Sequence, residues 1–408
     1  MRVSSKRFCL TPKGEFYLIG YGSRYKSRLS PATGVHDDIY ANTILIESNG
    51  KKVFIFNADY IEFEESSCNQ IKELLHQKYG LDHNLVFFSA THNHQSVMSY
   101  HKTWKTGVFS QEYYDFFVET VERAYQQCNE ALTECEAYFG VGEVVGFYGS
   151  REHYGEKADN DVILVEFRSG NDVVAAICNY ATHSTIIDPE NDLLTGDFAG
   201  ALCRKIYNDK GYYPAMVVGA AGDSSNRAFR KGIDYEELER TADGVAKQIN
   251  KIKVDQKIDI EYEYDNFITY RVNYKPKDDA DFLNDKISEL EEKLRIANDF
   301  QSQKLYGDAI NTYKAKLEMD KIDITLSSSI VKMKDLQIIS IPGELGSALG
   351  IELKTFSKAK CCLIFGYTNG HFHYILQPEL FKDTPRAIAG RYRISDVINY
   401  MDKIKEKM

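Results

Sequence analysis

The stretch that decides the fold is Leu85–His94, which reads LVFFSATHNH. A short continuous apolar run leads directly into two histidines separated by one residue, His92 and His94. Such a run is typical of a buried strand, and the histidines would then lie beyond its carboxyl end. One imidazole can hold a metal while the other moves a proton, because histidine is the commonest metal ligand and titrates near neutral pH. The spacing alone is a weak indication, since it also arises by chance.

Three further apolar runs lead into side chains that can bind a metal. Open α/β sheets bind ligands in the crevice outside the carboxyl ends of their strands, so the pattern favours a shared site. The alternative is that each side chain is an ordinary hydrogen-bonded residue, which we prefer for His36, His76, His83, His101 and His153. The runs and the side chains that follow them are Val173–Ile177 with His183, Leu336–Ile341 with Glu344, and Cys361–Phe365 with His371, His373 and Tyr374.

Up to about residue 230 the sequence alternates predicted strands with predicted amphipathic helices. This pattern favours an α/β fold with a mixed β-sheet core, or a pair of sheets, flanked by helices. Residues 278–321 are strongly charged, with leucines and isoleucines at helical spacing, and predict an inserted helical hairpin that bends near Gly307. The hairpin is either a solvated excursion or a lid or dimer contact, and residues 1–408 are expected to form a single domain. The predicted strands are Val53–Phe56, Leu85–Phe88, Val162–Phe167, Val173–Ile177 and Met216–Val218, and the predicted helices are Cys68–Tyr79, Gln111–Leu132, Tyr235–Ile252 and Val397–Met408.

A series of different short motifs extends along almost the whole chain. They are GYGSR (Gly20–Arg24), GVHDDIYANTILIE (Gly34–Glu47), NADYIEF (Asn57–Phe63), ATHNH (Ala90–His94), GSREHY (Gly149–Tyr154), NYATHSTII (Asn179–Ile187), TGDFAG (Thr195–Gly200), GAAGDSSN (Gly219–Asn226), IPGE (Ile341–Glu344) and GYTNGHFHY (Gly366–Tyr374). In their order and spacing they resemble the amino-terminal catalytic domain of the neutral/alkaline, non-lysosomal ceramidase family.

This resemblance implies a zinc site and a role for each matching residue. His92 and His183 would be zinc ligands, and Glu344 would be the carboxylate ligand. His94 would be the acid–base group beside the metal, and Arg151 would contact the carbonyl or headgroup of the substrate. An amide is a poor electrophile, so the chemistry needs a metal that polarises the carbonyl and an acid that protonates the departing amine.

Two departures from the family pattern change the expected site. After the second histidine the family continues with Ser-Gly-Pro, whereas residues 95–97 here read QSV, so the rim of the pocket would differ. Counted from Asn369, His371 takes the place of a metal-ligating tyrosine. A neutral imidazole binds zinc without the deprotonation that a phenol needs, so we expect His371 to face the metal and Tyr374 to lie near the substrate or in the core. In an extended strand His373 would share the face of His371 and compete with it.

The GAAGDSSN motif holds two further candidates. Ser225 matches a family serine that would act as a nucleophile or orient the substrate, and we favour orientation because a metal already supplies the nucleophile. Asp223 is expected to hold a ligand imidazole by its free N–H. The alternative is that GAAGD is an ordinary strand-to-helix turn.

Composition restricts the setting of the protein. The 408 residues are 43% hydrophobic and carry a net charge of -10, which supports a sizeable core and argues against a nucleic-acid partner. The amino terminus lacks an apolar h-region, and no run approaches the roughly 18 apolar residues of a spanning helix. We therefore expect no signal peptide, no transmembrane segment and a cytoplasmic protein. The eight cysteines lack a paired spacing and are expected to be reduced.

Together these patterns predict zinc-dependent hydrolysis of an acyl-amide bond by metal-activated water, with an N-acylated small molecule or lipid as substrate. Secreted ceramidases continue from the catalytic region into an immunoglobulin-like domain, whereas this sequence ends at Met408 soon after its last motif. We therefore expect that the substrate need not be ceramide. Two alternatives stay open, a metal-dependent esterase or phosphohydrolase with the same ligands, and a catalytically silent binding protein of the same fold.

Overall fold

The computed structural model of the chain describes residues 1–20, 30–97, 99–100, 108–153, 156–298, 300–382 and 384–408. In this part of the chain three mixed β-sheets of five, five and four strands form the core, with helices packed against them. The α/β class with a mixed-sheet core is therefore confirmed, with three larger sheets in place of the one or two expected. Tyr21–Arg24 of the first motif, His101 and Tyr154 lie outside the described residues.

The predicted strands and helices agree with the structure to within a few residues at each end. The strands are β1 (Arg2–Cys9), β2 (Gly34–Val35), β3 (Tyr40–Ser48), β4 (Lys51–Ala58), β5 (Val86–Ala90), β6 (Thr133–Glu134), β7 (Glu136–Glu143), β8 (Gly149–Ser150), β9 (Asp161–Ser169), β10 (Asp172–Tyr180), β11 (Leu193–Leu194), β12 (Ala215–Val218), β13 (Ser224–Ser225), β14 (Gln256–Ile258), β15 (Tyr264–Tyr274), β16 (Ile322–Met333), β17 (Leu336–Ser340), β18 (Glu344–Leu345), β19 (Cys361–Phe365) and β20 (Tyr374–Ile375). The helices are α1 (Glu65–Tyr79), α2 (Gln111–Glu130), α3 (Asp197–Lys210), α4 (Tyr235–Ile249), α5 (Ala280–Ile296), α6 (Phe300–Leu317), α7 (Ser347–Phe356), α8 (Pro385–Ala389) and α9 (Ile394–Lys405).

Each larger sheet is antiparallel except for one parallel pair at an edge. The strand orders are β5-β4-β3-β1-β6, β12-β10-β9-β7-β14 and β15-β16-β17-β19. The parallel pairs are β4 with β5, β10 with β12, and β17 with β19. Every residue of the edge strands β5, β12 and β19 is buried. Burial on both faces explains why these strands are continuous apolar runs in the sequence.

Three buried asparagines tie the parallel pairs together. Asn57 on β4 donates to a carbonyl of β12 at 3.1 Å, and Asn179 on β10 donates to a carbonyl of β19 at 2.9 Å. Asn369, just beyond β19, donates to a carbonyl of β5 at 3.2 Å and so completes the ring of contacts. An apolar core from all three sheets fills the space between them, and Phe87 lies against Phe365 with ring centres 5.7 Å apart. The loops that leave these strands therefore begin close together.

Helices α5 and α6 form the hairpin that the sequence predicts. They are inserted between β15 and β16, which pair antiparallel from Tyr264 to Tyr274. Leu283 and Tyr313 are among the residues of its small apolar core. Gly307 was expected near the bend, but this prediction is wrong, because Gly307 lies within α6 and α5 already ends at Ile296. A single glycine weakens a helix without ending it.

None of the helices in the described part of the chain is both long and apolar enough to cross a membrane. The eight cysteines are all free thiols in the structure.

Candidate metal centre

His92, His183 and Glu344 meet where the parallel strands end. One ligand atom of each lies within 4.8 Å of those of the other two, and all three side chains are buried. The Nε2 atom of His183 lies 3.0 Å from Oε2 of Glu344, and Nε2 of His92 lies 3.8 Å from the same oxygen. The three residues follow β5, β10 and β17, so each larger sheet contributes one potential ligand.

The backbone at His92 is held in an unusual conformation. Its φ of 55° is left-handed, which is uncommon for a residue other than glycine. The next residue fixes this turn, because the Asn93 amide donates to the Tyr60 carbonyl at 3.1 Å and its side chain donates to the Thr195 carbonyl at 2.7 Å. Such backbone strain persists where the surrounding structure enforces it, and it clusters at functional sites.

The hydrogen bonds of His92 and His94 fix their tautomers. Nδ1 of His92 lies 2.8 Å from the Ile61 carbonyl oxygen, and Nδ1 of His94 lies 3.0 Å from the Gly20 carbonyl oxygen. A carbonyl only accepts, so each Nδ1 carries the proton and each Nε2 presents a lone pair. The two Nε2 atoms lie 3.3 Å apart. Burial lowers the pKa of His94 to about 3 and that of His92 well below its ordinary value, so both imidazoles are neutral and neither Nε2 carries a proton.

The charge state of the other two side chains also suits a metal. Burial, and after it the positive charge of Arg151, lowers the pKa of His183 to about 4, so this imidazole is neutral. Burial opposes the charge on Glu344, but the imidazoles of His92, His183 and His371 outweigh it and hold the pKa of the carboxyl well below its ordinary value. The centre thus offers neutral imidazoles and an ionised carboxylate, the protonation states that ligands need.

His371 lies beside the triad, between two carboxylates. Its Nε2 is 3.3 Å from Oε1 of Glu344, and its Nδ1 is 2.6 Å from Oε2 of Glu62. Burial disfavours the charged ring, but Glu62 and Glu344 outweigh burial and raise the pKa of His371 to about 10. An Nδ1–H donated to a carboxylate is the usual support of a metal-ligating histidine. With a pKa of about 10 the ring is protonated at neutral pH, so metal binding through Nε2 would release that proton, and metal binding by His371 stays a prediction.

Two residues at this centre were missed by the sequence analysis. Glu62 lies in NADYIEF, and the sequence marks it only as an acidic residue that comes soon after the apolar run of β4. Tyr367 follows β19, donates to Oε2 of Glu344 at 3.3 Å and lies against the ring of His92 with centres 4.3 Å apart. A tyrosine next to a buried strand resembles any core tyrosine in a sequence, which is why it gave no signal.

The segment around His373 is not extended. His373 has a φ of 64° and Asn369 a φ of 62°, so the strand geometry that would place His371 and His373 on one face does not apply. Tyr374 pairs with Glu344 in the β18–β20 ladder, and the guanidinium carbon of Arg151 is 4.9 Å from its ring centre. Both Tyr374 and His373 line a cleft that opens beside the triad.

Arg151 lies at the edge of the triad with its side chain 8% exposed. Its Nη2 donates to the Gly222 carbonyl at 2.5 Å, and its Nη1 lies 3.3 Å from Nε2 of His183. Ser225 lies on β13, which pairs with β8 directly before Arg151, and its hydroxyl accepts the Arg227 amide at 3.1 Å. Ser225 thus supports the turn behind Arg151, and its contact with a substrate stays a prediction.

The role predicted for Asp223 is wrong. Its carboxylate accepts the backbone amide of Ser347 at 2.7 Å, the Ser347 hydroxyl at 2.9 Å and the Gln377 amide at 2.8 Å. These contacts fix the start of α7 and include no ligand imidazole. The reason is the path of the preceding loop, in which Gly222 donates to the Leu345 carbonyl at 2.7 Å and so directs Asp223 towards α7.

Residues 9–212 match the sequence profile of the family described as "Neutral/alkaline non-lysosomal ceramidase, N-terminal". The chain belongs to this family. It is 23% identical over 215 residues to the neutral ceramidase of Oryza sativa subsp. japonica, covering 47% of this chain and 27% of that protein. Neutral ceramidase 1 of Arabidopsis thaliana is 25% identical over 241 residues, covering 50% and 31%. The chain thus matches less than a third of the length of these relatives.

The fold of this ceramidase-family chain is found in solved structures. The neutral ceramidase from Pseudomonas aeruginosa superimposes with a TM-score of 0.77 at 15% identity, covering 100% of this chain and 73% of that chain. A structure described as "Ceramidase complexed with C2" gives a TM-score of 0.77 at 14% identity, covering 100% and 74%. At this identity the similarity shows the shared fold.

Proposed function

We propose that this protein is a zinc-dependent hydrolase that cleaves an acyl-amide bond with metal-activated water. The observation that carries the proposal is the convergence of His92, His183 and Glu344 from three sheets into one buried centre. Membership of the ceramidase family supports the choice of an amide, because the curated relatives are named neutral ceramidases.

The donor set supports zinc as the metal. Two imidazole nitrogens and one carboxylate oxygen are a set that catalytic zinc sites use, with a further position left for substrate or water. His371, oriented by Glu62, is our proposed fourth ligand, and substrate or water would then take a fifth position, which catalytic zinc sites can adopt. Zinc, when bound, supplies a Lewis acid for the amide carbonyl and lowers the pKa of a bound water to about 7.

The surrounding side chains have distinct tasks in this proposal. Arg151 orients the carbonyl side of the substrate, and although burial disfavours its charge, Tyr374 and Glu344 keep the pKa of its guanidinium above the ordinary value. His94 presents the lone pair of Nε2 to the centre while its Nδ1–H is held by the Gly20 carbonyl, so it is placed to take a proton from the attacking water and pass it on to the departing amine. Tyr374 lies against Arg151 and limits the positions the substrate can take.

Zinc content and hydrolysis of matched substrates test this proposal. Wild type should hold about one zinc per chain, and His183→Ala should lose it. The control is His83→Ala, because that imidazole is 43% exposed and pairs with Glu73 away from the centre. Stoichiometric zinc in His183→Ala would refute the ligand assignment.

A panel of amides, esters and phosphoesters tests the reaction class in zinc-loaded enzyme. We expect turnover of amides. Turnover of esters or phosphoesters alone would replace the amidase with the alternative hydrolase, and zinc binding without any turnover would favour a silent binding protein.

A further inference from the structure

A cleft of about 950 Å³ opens beside the triad, between the hairpin helices and the chain that follows β20. Arg151 and Tyr374 line it, and Nη1 of Arg151 lies 3.3 Å from Nε2 of His183, so the cleft reaches the edge of the metal centre. Its volume suits a small-molecule ligand. The hairpin side carries apolar residues such as Leu290, Ala309 and Met319 together with the charged residues Lys293, Asp308 and Lys316.

The cleft is positively charged although the chain is acidic. Among the described residues that line it, six cationic side chains face two acidic ones, whereas the whole chain has a net charge of -10. An excess of one sign in a confined cleft raises the local concentration of ligands of the opposite sign. The acidic side chains are Glu152 and Asp308, and the cationic ones are Arg151, Arg227, Lys293, Lys316, Arg386 and Arg391.

The acidic side chains leave much of this charge uncompensated. Glu152 is shared between two guanidiniums, because its Oε1 lies 3.7 Å from Nε of Arg151 and also pairs with Arg386. Lys316 is buried and donates to the carbonyls of Ile388 at 2.9 Å and Gly390 at 2.6 Å, which are dipoles and carry no full charge.

Arg391 and Lys293 complete the charged wall. Within the described part of the chain neither of them forms an ion pair with a carboxylate. Arg391 lines the cleft together with His373 and Tyr374. The guanidinium of Arg391 thus belongs to the same cleft as Tyr374, which pairs with Glu344 of the triad.

We propose that the cleft binds an anionic group on the amine half of the substrate, so that the preferred substrates are acyl amides of amino acids. The proposal rests on the function proposed above, in that the bond cleaved at the triad is an acyl amide. Guanidiniums suit this task because their planar donors bind a carboxylate through two parallel hydrogen bonds. The apolar residues of the hairpin side then take the acyl chain.

The reaction consumes one water. The C–N bond breaks, the carbonyl carbon gains the oxygen of water, and the nitrogen takes a proton. The products are a carboxylic acid and a free amino acid.

Two substrates that differ only in charge test the proposal. N-dodecanoylglycine carries a carboxylate, and N-dodecanoylglycinamide replaces it with an uncharged amide of similar size. We expect kcat/KM to be at least about 10-fold higher for the glycine compound, which corresponds to about 1.4 kcal/mol. Raising the salt from about 0.1 M to about 1 M shortens the Debye length from about 10 Å to about 3 Å and should lower this ratio.

Arg391→Glu should bring the ratio of the two kcat/KM values towards one. The control is Lys314→Gln, which removes a positive charge from an exposed position on the same hairpin, where Lys314 pairs with Glu291 at 2.9 Å outside the cleft. A ratio near one in wild type, or an unchanged ratio in Arg391→Glu, would overturn the proposal. N-dodecanoylaminomethylphosphonate, as a third substrate, shows whether a phosphonate replaces the carboxylate as the preferred anion.

Binding separates this proposal from the proposed function. If neither compound is cleaved, the amidase assignment fails. Calorimetry with the same two compounds then still shows whether the cleft binds the anionic group. Tighter binding of the glycine compound to wild type, lost in Arg391→Glu, would retain the anion site. Equal binding of both compounds would reject it.

Discussion

Gly222 lies directly against the strand that carries Glu344, and Gly222→Ala is therefore a sharp test of the metal centre. A Cβ at position 222 would lie 2.4 Å from the carbonyl oxygen of Glu344 and 2.9 Å from the carbonyl carbons of Glu344 and Leu345. Ordinary van der Waals contact begins at 3.4 Å, so one backbone has to move by about 1 Å. The atoms in contact are backbone atoms, which cannot rotate away as a side chain can.

A displacement of this size is large for a metal ligand. Metal–ligand distances vary by only about 0.2 Å, so a shift of about 1 Å at Glu344 should take its carboxylate out of position. We expect zinc binding about 10-fold to 100-fold weaker and turnover lower by about 10²-fold. Overpacking should also lower the free energy of unfolding by about 1–3 kcal/mol.

The assay is zinc affinity by competition with a chelator, together with thermal unfolding and turnover. Gly307→Ala is the matched control, because its Cβ would have nothing within 4 Å and lies within α6. That change should raise the free energy of unfolding by up to about 1 kcal/mol and leave zinc binding unchanged. Wild-type zinc affinity and turnover in Gly222→Ala would refute the argument that this contact positions Glu344.

Three further changes probe the surroundings of the centre. His94→Ala should keep zinc but lose about 10²-fold to 10⁴-fold in turnover, and loss of zinc as well would make His94 a ligand. Glu62→Gln should weaken zinc binding about 10-fold to 100-fold if Glu62 orients His371, as chelator competition would show. Burial raises the pKa of Asp197 from 3.8 to about 7, so this carboxyl binds its proton more tightly in the folded protein than in the unfolded chain. Protonation of Asp197 therefore stabilises the fold, and this contribution is complete below pH 3.8 and is lost as the pH rises to about 7. The free energy of unfolding of wild type should fall over that range relative to Asp197→Asn, which keeps an acceptor for the Ile186 amide, and parallel pH profiles would contradict the assignment.

The positions of the candidate ligands could be predicted because the strands before them are continuous apolar runs. Every residue of β5, β17 and β19 is buried, and a strand buried on both faces has this pattern in a sequence. A polar side chain directly after such a strand is then a candidate ligand of a binding site. The prediction needed no knowledge of which strands pair.

The grouping of the strands into three sheets could not be predicted. It depends on contacts between residues far apart in the chain, such as the hydrogen bonds of Asn57 with β12 and of Asn369 with β5. A buried asparagine has no periodic signal, and its partner is a backbone carbonyl that any residue would offer. The prediction for Asp223 failed for a related reason, because its partner Ser347 lies 124 residues away. The cytoplasmic location stays a prediction, since nothing in the fold bears on it.

The place of the hairpin in the third sheet links the substrate cleft to the metal centre. The hairpin leaves from β15 and returns into β16, and the chain then passes through β17 to Glu344. The strands of one sheet therefore lead both into the hairpin side of the cleft and towards Glu344, the candidate carboxylate ligand. Lys316 fastens the hairpin to the chain around Gly390, directly before Arg391 of the cationic wall. Because the hairpin side and the cationic wall are joined at this point, a change in the hairpin should alter substrate preference before it alters metal binding.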